Sequence, residues 1–228
     1  MFNTLLQITT DTLSNTGIET ADQEKLSLIA LMMKGGIIMI PIGILFLVTV
    51  FVFFERYFTI RRAGKGDSHF MLNIRDYISN GNVEAAKMLC KNTETPYARM
   101  IEKGIRRIGT PLKNIEVAIE NVGKLELYRM EKNLAVLAMI AGIGPMIGFL
   151  GTVTGMIRAF YDMSVSDQIS PKLLSSGIYE AMVTTVAGLI VGILANIAYN
   201  SLLSLVEKVI YKMEATSVEF MDLLQEPA

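Results

Sequence analysis

Three long stretches of the chain contain no charged side chain. They comprise residues 35–54, 134–157 and 181–206, which are 20, 24 and 26 residues long. At a rise of about 1.5 Å per residue, a helix over each stretch can cross the hydrocarbon core of a bilayer, which is roughly 30 Å thick. The pattern therefore predicts three transmembrane helices, which we place at residues 35–56, 134–157 and 177–206.

Helical start and stop signals recur between the first two spans. Asn82 is a candidate N-cap for "VEAAKMLCKN", and a second short helix, ending at Gly109, is predicted for "TPYARMIEKGIRRIG". Thr110 and Pro111 mark another helix start, after which no stop signal interrupts "LKNIEVAIENVGKLELYRMEKNLAVLAMI". We therefore predict one long helix that continues as the second span. The predicted fold is all-α: an integral membrane protein with three transmembrane helices, long helices extending into the cytoplasm and a helical cytoplasmic domain.

Lysine and arginine are concentrated between the first and second spans. Residues 55–133 carry 15 of the 21 basic residues, and the N-terminal segment, the second loop and the tail carry two each. Cytoplasmic loops of membrane proteins carry such an excess, and we interpret it as topological rather than as a sign of nucleic-acid binding. We therefore expect a cytoplasmic helical domain at residues 57–133, an outer loop at 158–176 and a cytoplasmic tail at 207–228.

The first 34 residues lack the basic start and the continuous apolar core of a cleaved signal peptide. We expect residues 1–34 to be retained as an outward-facing segment, with an amphipathic helix along the membrane interface formed by "DQEKLSLIALMMK". The N-terminus then lies outside the cytoplasm and the C-terminus inside it.

The chain offers few residues for catalysis or metal binding. His69 and Cys90 are its only histidine and cysteine, so one chain can build neither a histidine-based metal cluster or triad nor an internal disulfide. Its GxxxG spacings lie within apolar spans, and no nucleotide-binding motif follows them. We therefore expect no enzymatic activity, no bound metal and no cofactor.

Glycines recur at helical spacing in the second and third spans. Small residues let membrane helices approach closely, so we predict helix packing through Gly144, Pro145, Gly148, Gly151, Gly155, Gly188 and Gly192. Pro145 also removes a backbone donor and can kink its helix. The packing partner lies in the same subunit or in a neighbouring one. Glycine-rich sides on two of only three spans favour contacts between subunits as well, and hence a homo-oligomer.

Three polar side chains stand out in the third span, "GIYEAMVTTVAGLIVGILANIAYN". Glu180 is either a boundary carboxylate that reaches water or an acid that faces a lumen, as ionisable groups within spans usually do. At about 100° per residue, Thr184 lies on the same side of the helix as Glu180, whereas Thr185 lies about 140° away. A buried hydroxyl needs a partner, which is a carbonyl of its own helix or water.

The paired motifs "GPMIGFLGTVTGMIRAF" and "GIYEAMVTTVAGLIVGILANIAYN" resemble the MotA/TolQ/ExbB proton-channel family, and its ExbB branch most closely. The resemblance covers the three spans, their order, the basic cytoplasmic loop and the long second helix. MotA-type stators are less similar, because they typically have four spans and lack this glutamate.

The resemblance implies a place in the bacterial inner membrane, with a periplasmic N-terminus and protons as the transported ion. It further implies a pentamer around a dimer of a single-span ExbD-like partner, which uses the proton motive force to energise a TonB-like protein for outer-membrane import. Thr152 and Thr185 match the lumen-lining threonines of the family, and Glu180 matches its glutamate. Thr184 adds a second hydroxyl that departs from the family pattern. Arg158 either pairs with an acid of the partner or marks the outer boundary, which we favour.

Two other hypotheses remain open at this point. A TolQ-like or gliding-type motor subunit would use the same residues for work on the cell envelope. A purely structural membrane scaffold would tolerate apolar replacements of Thr152, Glu180 and Thr185. A small-solute transporter has less support, because no inverted repeat is visible.

Overall fold

The computed structural model describes residues 35–65, 69–165 and 171–225, and their regular structure is helical. The interfacial helix predicted within residues 1–34 lies outside the described residues. We number the helices in chain order: α1 (Met39–Gly64), α2 (Phe70–Ser79), α3 (Val83–Asn92), α4 (Pro96–Ile105), α5 (Leu112–Glu131), α6 (Leu134–Val165) and α7 (Pro171–Gln225).

Three helical stretches are long and apolar enough to cross a membrane: Met39–Gly64, Leu112–Val165 and Leu174–Gln225. The predicted all-α membrane fold is therefore confirmed. α6 and α7 form the most extensive contact among the described helices, and α1 packs against both of them. α6 and α7 also extend beyond the predicted spans into the segment that we assigned to the outer loop.

The 55-residue helix α7 runs from the membrane-spanning part to the short helices that lie between the first and second spans in sequence. At about 1.5 Å per residue it is about 80 Å long, and α2, α4 and α5 pack against it beyond the membrane spans. Phe220, near its end, is fully buried together with Ile101 and Ile119. Gly104 leaves room for this contact, since a Cβ there would lie 2.8 Å from the Phe220 ring and from Ile119 Cδ1. α4 and α5 thus share one apolar core with the end of α7.

The helix predicted to continue without interruption into the second span is broken at Lys132 and Asn133. α5 ends at Glu131, α6 begins at Leu134, and Asn133 has a φ of 67°. Asparagine tolerates this left-handed region better than most residues. The buried Arg56 of α1 donates to the Arg129 carbonyl at 3.3 Å, in the last turn of α5. The positive charge of Arg56 therefore lies beside a carbonyl in the last turn of α5, at the negative end of that helix dipole. This interaction favours the end of α5 at this place.

One other helix end follows its sequence signal and one does not. The Asn82 side chain accepts a hydrogen bond from the Ala85 N–H at 3.2 Å, which confirms the predicted N-cap of α3. The helix predicted to end at Gly109 ends already at Ile105, and Gly109 follows in a turn with a φ of 95°. α2 was not predicted.

A buried carboxylate links α4 to α5. The side chain of Glu126 is only 4% exposed, and it accepts hydrogen bonds from Arg99 at 2.5 Å and from Arg129 at 2.6 Å. Removing one partner of such a group leaves an uncompensated charge, which destabilises a fold by about 3–5 kcal/mol in comparable cases. This ion-pair cluster fixes how the two helices pack.

We expect the thiol of Cys90 to be almost inert in the folded protein. The side chain is buried in α3, and burial, followed by the nearby charge of Glu102, raises its pKa from 9.0 to about 12. This raised pKa lowers the thiolate fraction at pH 8 about a thousandfold. The thiolate is the reactive form, so the reaction rate of Cys90 should fall by the same factor. Alkylation by iodoacetamide at pH 8, followed by mass spectrometry, measures this reactivity.

The matched control places the thiol on the exposed side of the same helix. Met88 is 61% exposed, so Met88→Cys combined with Cys90→Ala should react at the rate of a free thiol. Equal alkylation rates of Cys90 and of the control thiol at pH 8 would contradict the burial seen here.

Candidate functional site

α6 and α7 touch through their backbones along a row of glycines, which we call the seam. A Cβ on Gly188 would lie 2.6 Å from the Gly144 carbonyl oxygen and 2.8 Å from Gly148 Cα. A Cβ on Gly148 would lie 3.1 Å from the Thr184 carbonyl oxygen. The two helices therefore approach so closely that only glycine fits at these positions.

The rest of the seam is built in the same way. A Cβ on Gly192 would lie 2.7 Å from Pro145 Cδ, and one on Gly155 would lie 2.9 Å from Ala181 Cβ. The seam brings together all the small and proline residues predicted for helix packing: Gly144, Pro145, Gly148, Gly151, Gly155, Gly188 and Gly192. The structure thus uses these glycines for packing within one chain.

Thr184 lies inside the seam. Its side chain is 1% exposed and its hydroxyl donates to the Ala181 carbonyl at 2.7 Å. It fills the space left by Gly151, where a Cβ would overlap the Thr184 hydroxyl. In this chain Thr184 is enclosed between α6 and α7 and does not lie on a surface that could line a lumen.

Thr152 and Thr185 lie together at one edge of the seam. The half-buried Thr185 hydroxyl donates across to the Gly148 carbonyl of α6 at 3.1 Å, and less closely to Ala181 of its own helix at 3.4 Å. The half-buried Thr152 hydroxyl donates to the Phe149 carbonyl at 2.6 Å. Helix geometry, at about 100° per residue, puts both threonines on the same side of the antiparallel pair.

α1 covers the opposite side of the pair. Met39 and Ile42 of α1 form a buried cluster with Ile140 of α6 and with Val191 and Ala195 of α7. We call this side the α1 flank and the side with Thr152 and Thr185 the threonine flank. Among the described helices none packs on the threonine flank, which carries the exposed side chains of Phe149, Met156, Met182 and Leu189.

Glu180 lies on the α1 flank, away from Thr152 and Thr185. Its carboxylate Oε1 is 3.7 Å from Nη1 of Arg158 in α6. It also covers Gly36, just before α1, where a Cβ would overlap Glu180 Oε1. Gly36 has a φ of 64°, so glycine is favoured there for its backbone conformation as well as for space.

The partner of Arg158 is therefore a residue of the same chain. The pair is partly exposed, with side-chain exposures of 64% for Arg158 and 33% for Glu180, and such pairs contribute only about 0–1 kcal/mol. Its contribution is to position the helices, because it links the C-terminal part of α6 to α7. Sequence reasoning missed Gly36, whose signal was the Gly35–Gly36 pair at the start of the first span.

The described residues contain no group of three or more His, Cys, Asp or Glu side chains that could hold a metal ion. The polar groups placed at the seam are hydroxyls and one ion pair. Hydroxyls donate and accept protons through hydrogen bonds. Chemically, this part of the molecule is suited to passing or orienting protons at a membrane-embedded surface.

Comparisons with known proteins place this arrangement in a family. The family model of the MotA/TolQ/ExbB proton channel family matches residues 92–215, which include α6 and most of α7. The putative biopolymer transport protein ExbB-like 1 of Synechocystis is 27% identical over 176 residues, which cover 76% of this chain and 69% of that protein.

Two further relatives match over shorter regions. The biopolymer transport protein ExbB of Helicobacter pylori is 42% identical over 86 residues, which are 38% of this chain and 59% of that protein. The Tol-Pal system protein TolQ of Haemophilus influenzae is 38% identical over 77 residues, which are 34% of each chain. Because the family match covers more than half of the sequence and contains the whole seam, the chain belongs to the MotA/TolQ/ExbB proton channel family.

Proposed function

We propose that the chain is an ExbB-like subunit of a proton-driven motor in the bacterial inner membrane. With an ExbD-like single-span partner it would harness the proton motive force to energise a TonB-like protein for outer-membrane import. The threonine flank is the observation that carries this proposal. It is an apolar surface that no described helix covers, and it carries two hydroxyls, both within the region matched by the family.

A single transmembrane helix fits this surface. The exposed side chains of Phe149, Met156, Met182 and Leu189 offer apolar contact, while Thr152 and Thr185 offer hydroxyl groups for hydrogen bonds. An acidic side chain on the partner helix would be costly to charge in the membrane unless polar groups faced it. The two hydroxyls supply such groups.

A closed ring of identical subunits would turn the threonine flanks towards one central space. Symmetric homo-oligomers repeat one surface around an axis, and the family resemblance suggests five copies. In such a ring α1, on the opposite flank, would face the lipid. The exposed apolar side chains of α1, among them Leu47, Phe51 and Phe54, support that orientation.

Each polar residue has a separate role in the proposal. Thr152 and Thr185 would offer their hydroxyl groups to protons, water or the carboxyl group of the partner. Glu180 and Arg158 would fix the charge at the outer end of the pathway from the α1 flank. Thr184 would serve packing within the seam, because its hydroxyl is enclosed.

The proton motive force is large enough for this work. One charge moving through 100 mV contributes about 2.3 kcal/mol. Because a difference of about 5.5 kcal/mol moves a two-state equilibrium from 1:99 to 99:1, two or three protons suffice to shift a conformational population almost completely.

A TolQ-like role is the second candidate, and the similarity to the Haemophilus TolQ protein favours it over other envelope motors. Both candidates use the same seam and the same flank. They differ in the protein that receives the work, which lies outside this chain.

We expect deletion of the gene to abolish growth on a nutrient that enters only by energised outer-membrane import. Sensitivity to detergent, which reports on envelope integrity, should not change. Complementation with the wild-type gene should restore growth, and growth of the same strains on a freely permeating nutrient is the control. Unchanged import together with detergent sensitivity would favour the TolQ-like role, and no effect on either would leave the scaffold hypothesis.

A further inference from the structure

A groove of about 680 Å³ opens between the cytoplasmic ends of α1 and α7. Its apolar floor includes Ile60 of α1 and Leu205 and Val209 of α7. Gly64 allows the two helices to meet beside it, since a Cβ there would lie 3.3 Å from Val209 Cγ2. A volume of this size is typical of sites that take a small-molecule ligand.

Basic side chains line the rim of this groove. Arg61 lies in α1 and Lys65 directly follows that helix, and Lys208 and Lys212 lie in α7, whereas Glu207 is the single carboxylate of the lining. The rim is therefore strongly cationic above an apolar floor. A ligand that matches both must combine a negative charge with hydrocarbon.

Two of the four cations have recorded partners, and the side chains of the other two have none among the described residues. Lys212 donates to the Gly64 carbonyl at 2.9 Å, and Arg61 donates to the Tyr57 hydroxyl at 2.8 Å. The side-chain ammonium groups of Lys65 and Lys208 make no ion pair or hydrogen bond with any residue that the structure describes. Two ammonium groups on neighbouring helices thus remain available to one anion.

The groove lies at the level where lipid headgroups meet water. The uncharged stretch of α7 ends at Val206, next to Glu207 and Lys208. The exposed aromatic residues Phe58 and Tyr211 stand on the two helices beside the groove, 65% and 73% exposed. Aromatic side chains favour this interface, and the excess of basic residues puts it on the cytoplasmic side.

We propose that this groove binds an anionic phospholipid of the cytoplasmic leaflet. Lys65 and Lys208 contact its phosphate, and the first methylene groups of an acyl chain lie against Leu205 and Val209. Basic pockets between transmembrane helices on this side of a membrane bind such headgroups. A lipid fits better than a second copy of the chain, because the apolar floor continues into the exposed, lipid-facing surface of α1. The inference needs the membrane position of α1 and α7 and is independent of proton conduction.

Lipid retention by the intact oligomer tests the proposal. The protein is reconstituted in nanodiscs of equal parts dioleoylphosphatidylglycerol and dioleoylphosphatidylcholine, released, and weighed by native mass spectrometry. We expect wild-type protein to retain phosphatidylglycerol preferentially. At about fivefold for each lysine near the surface, Lys65→Gln with Lys208→Gln should weaken this retention about 30-fold.

Two matched variants complete the experiment. Lys103→Gln with Lys113→Gln removes two exposed lysines elsewhere in the cytoplasmic part and should retain phosphatidylglycerol like wild type. Lys65→Arg with Lys208→Arg keeps the charge and should also retain it. Equal retention of both lipids by wild type, or full retention by the Lys65/Lys208 glutamine variant, would overturn the proposal. If the Lys65/Lys208 glutamine variant changed its number of subunits but retained phosphatidylglycerol like wild type, the proposal would be wrong. The groove would then be assigned to a contact between copies of the chain.

Discussion

Gly188→Leu is expected to abolish accumulation of the folded protein in the membrane. The Cβ of any side chain at this position would lie 2.6 Å from the Gly144 carbonyl oxygen and 2.8 Å from Gly148 Cα. Both atoms belong to the backbone of α6, so no side chain can move aside. Overpacking by small groups typically costs about 1–3 kcal/mol, which we expect for Gly188→Ala. The leucine side chain requires the two helices to separate.

The amount of protein in isolated membranes and the temperature at which the purified protein loses its size-exclusion peak measure this effect. Gly142→Leu is the control, because Gly142 lies in α6 with no heavy atom of the described chain near its Cβ position. We expect wild-type levels for Gly142→Leu, intermediate thermal stability for Gly188→Ala and no folded Gly188→Leu. Wild-type accumulation and melting of Gly188→Leu would show that the seam is not closed in the membrane.

The membrane spans could be predicted from the sequence because their signal is local. An uncharged stretch of 20 residues or more leaves few alternatives for a helical chain. The glycine spacing likewise indicated which side of α6 and of α7 would make close contact. It could not indicate that the contact lies within one chain, since glycine rows favour contacts within and between subunits alike.

The break between α5 and α6 could not be predicted in the same way. Asn133 stands in an otherwise helical pattern, and asparagine alone is a weak signal for a left-handed residue. The Arg56 side chain that meets the Arg129 carbonyl comes from α1, 73 residues away. Contacts over such a distance in sequence leave no trace in local periodicity.

The division of the candidate site into two flanks also required the structure. Helix periodicity separated Glu180 from Thr185 by angle, but it could not indicate which side of α7 would be covered by α1. The contact of Glu180 with Gly36, and its ion pair with Arg158, place it on the α1 flank. Thr184 was grouped with Glu180 by angle, and the seam encloses it.

Thr185→Val is expected to reduce proton conduction at least tenfold while the oligomer stays assembled. Valine matches threonine in shape, so the packing of α7 changes little, and the loss of one hydrogen bond to Gly148 costs only about 1 kcal/mol of stability. The variant removes the hydroxyl that bridges the two helices on the threonine flank. A tenfold lower rate corresponds to about 1.4 kcal/mol in the barrier, which the loss of one well-placed hydroxyl in an apolar surrounding can supply. Thr152→Val should act in the same direction.

Thr154→Val is the matched control. Thr154 is a half-buried threonine of α6 whose hydroxyl donates to the Leu150 and Gly151 carbonyls of its own helix. It lies about 160° around α6 from Thr152, and therefore away from the threonine flank. Thr185→Ser restores the hydroxyl and should recover most of the conduction.

Proton uptake by sealed vesicles tests the account most directly. The vesicles contain the chain assembled with its single-span partner, and a potassium diffusion potential, negative inside, starts the flux. We predict wild-type uptake for Thr154→Val and at least tenfold lower uptake for Thr185→Val, at equal amounts of assembled complex. Wild-type uptake by both Thr185→Val and Thr152→Val would contradict a proton pathway along the threonine flank.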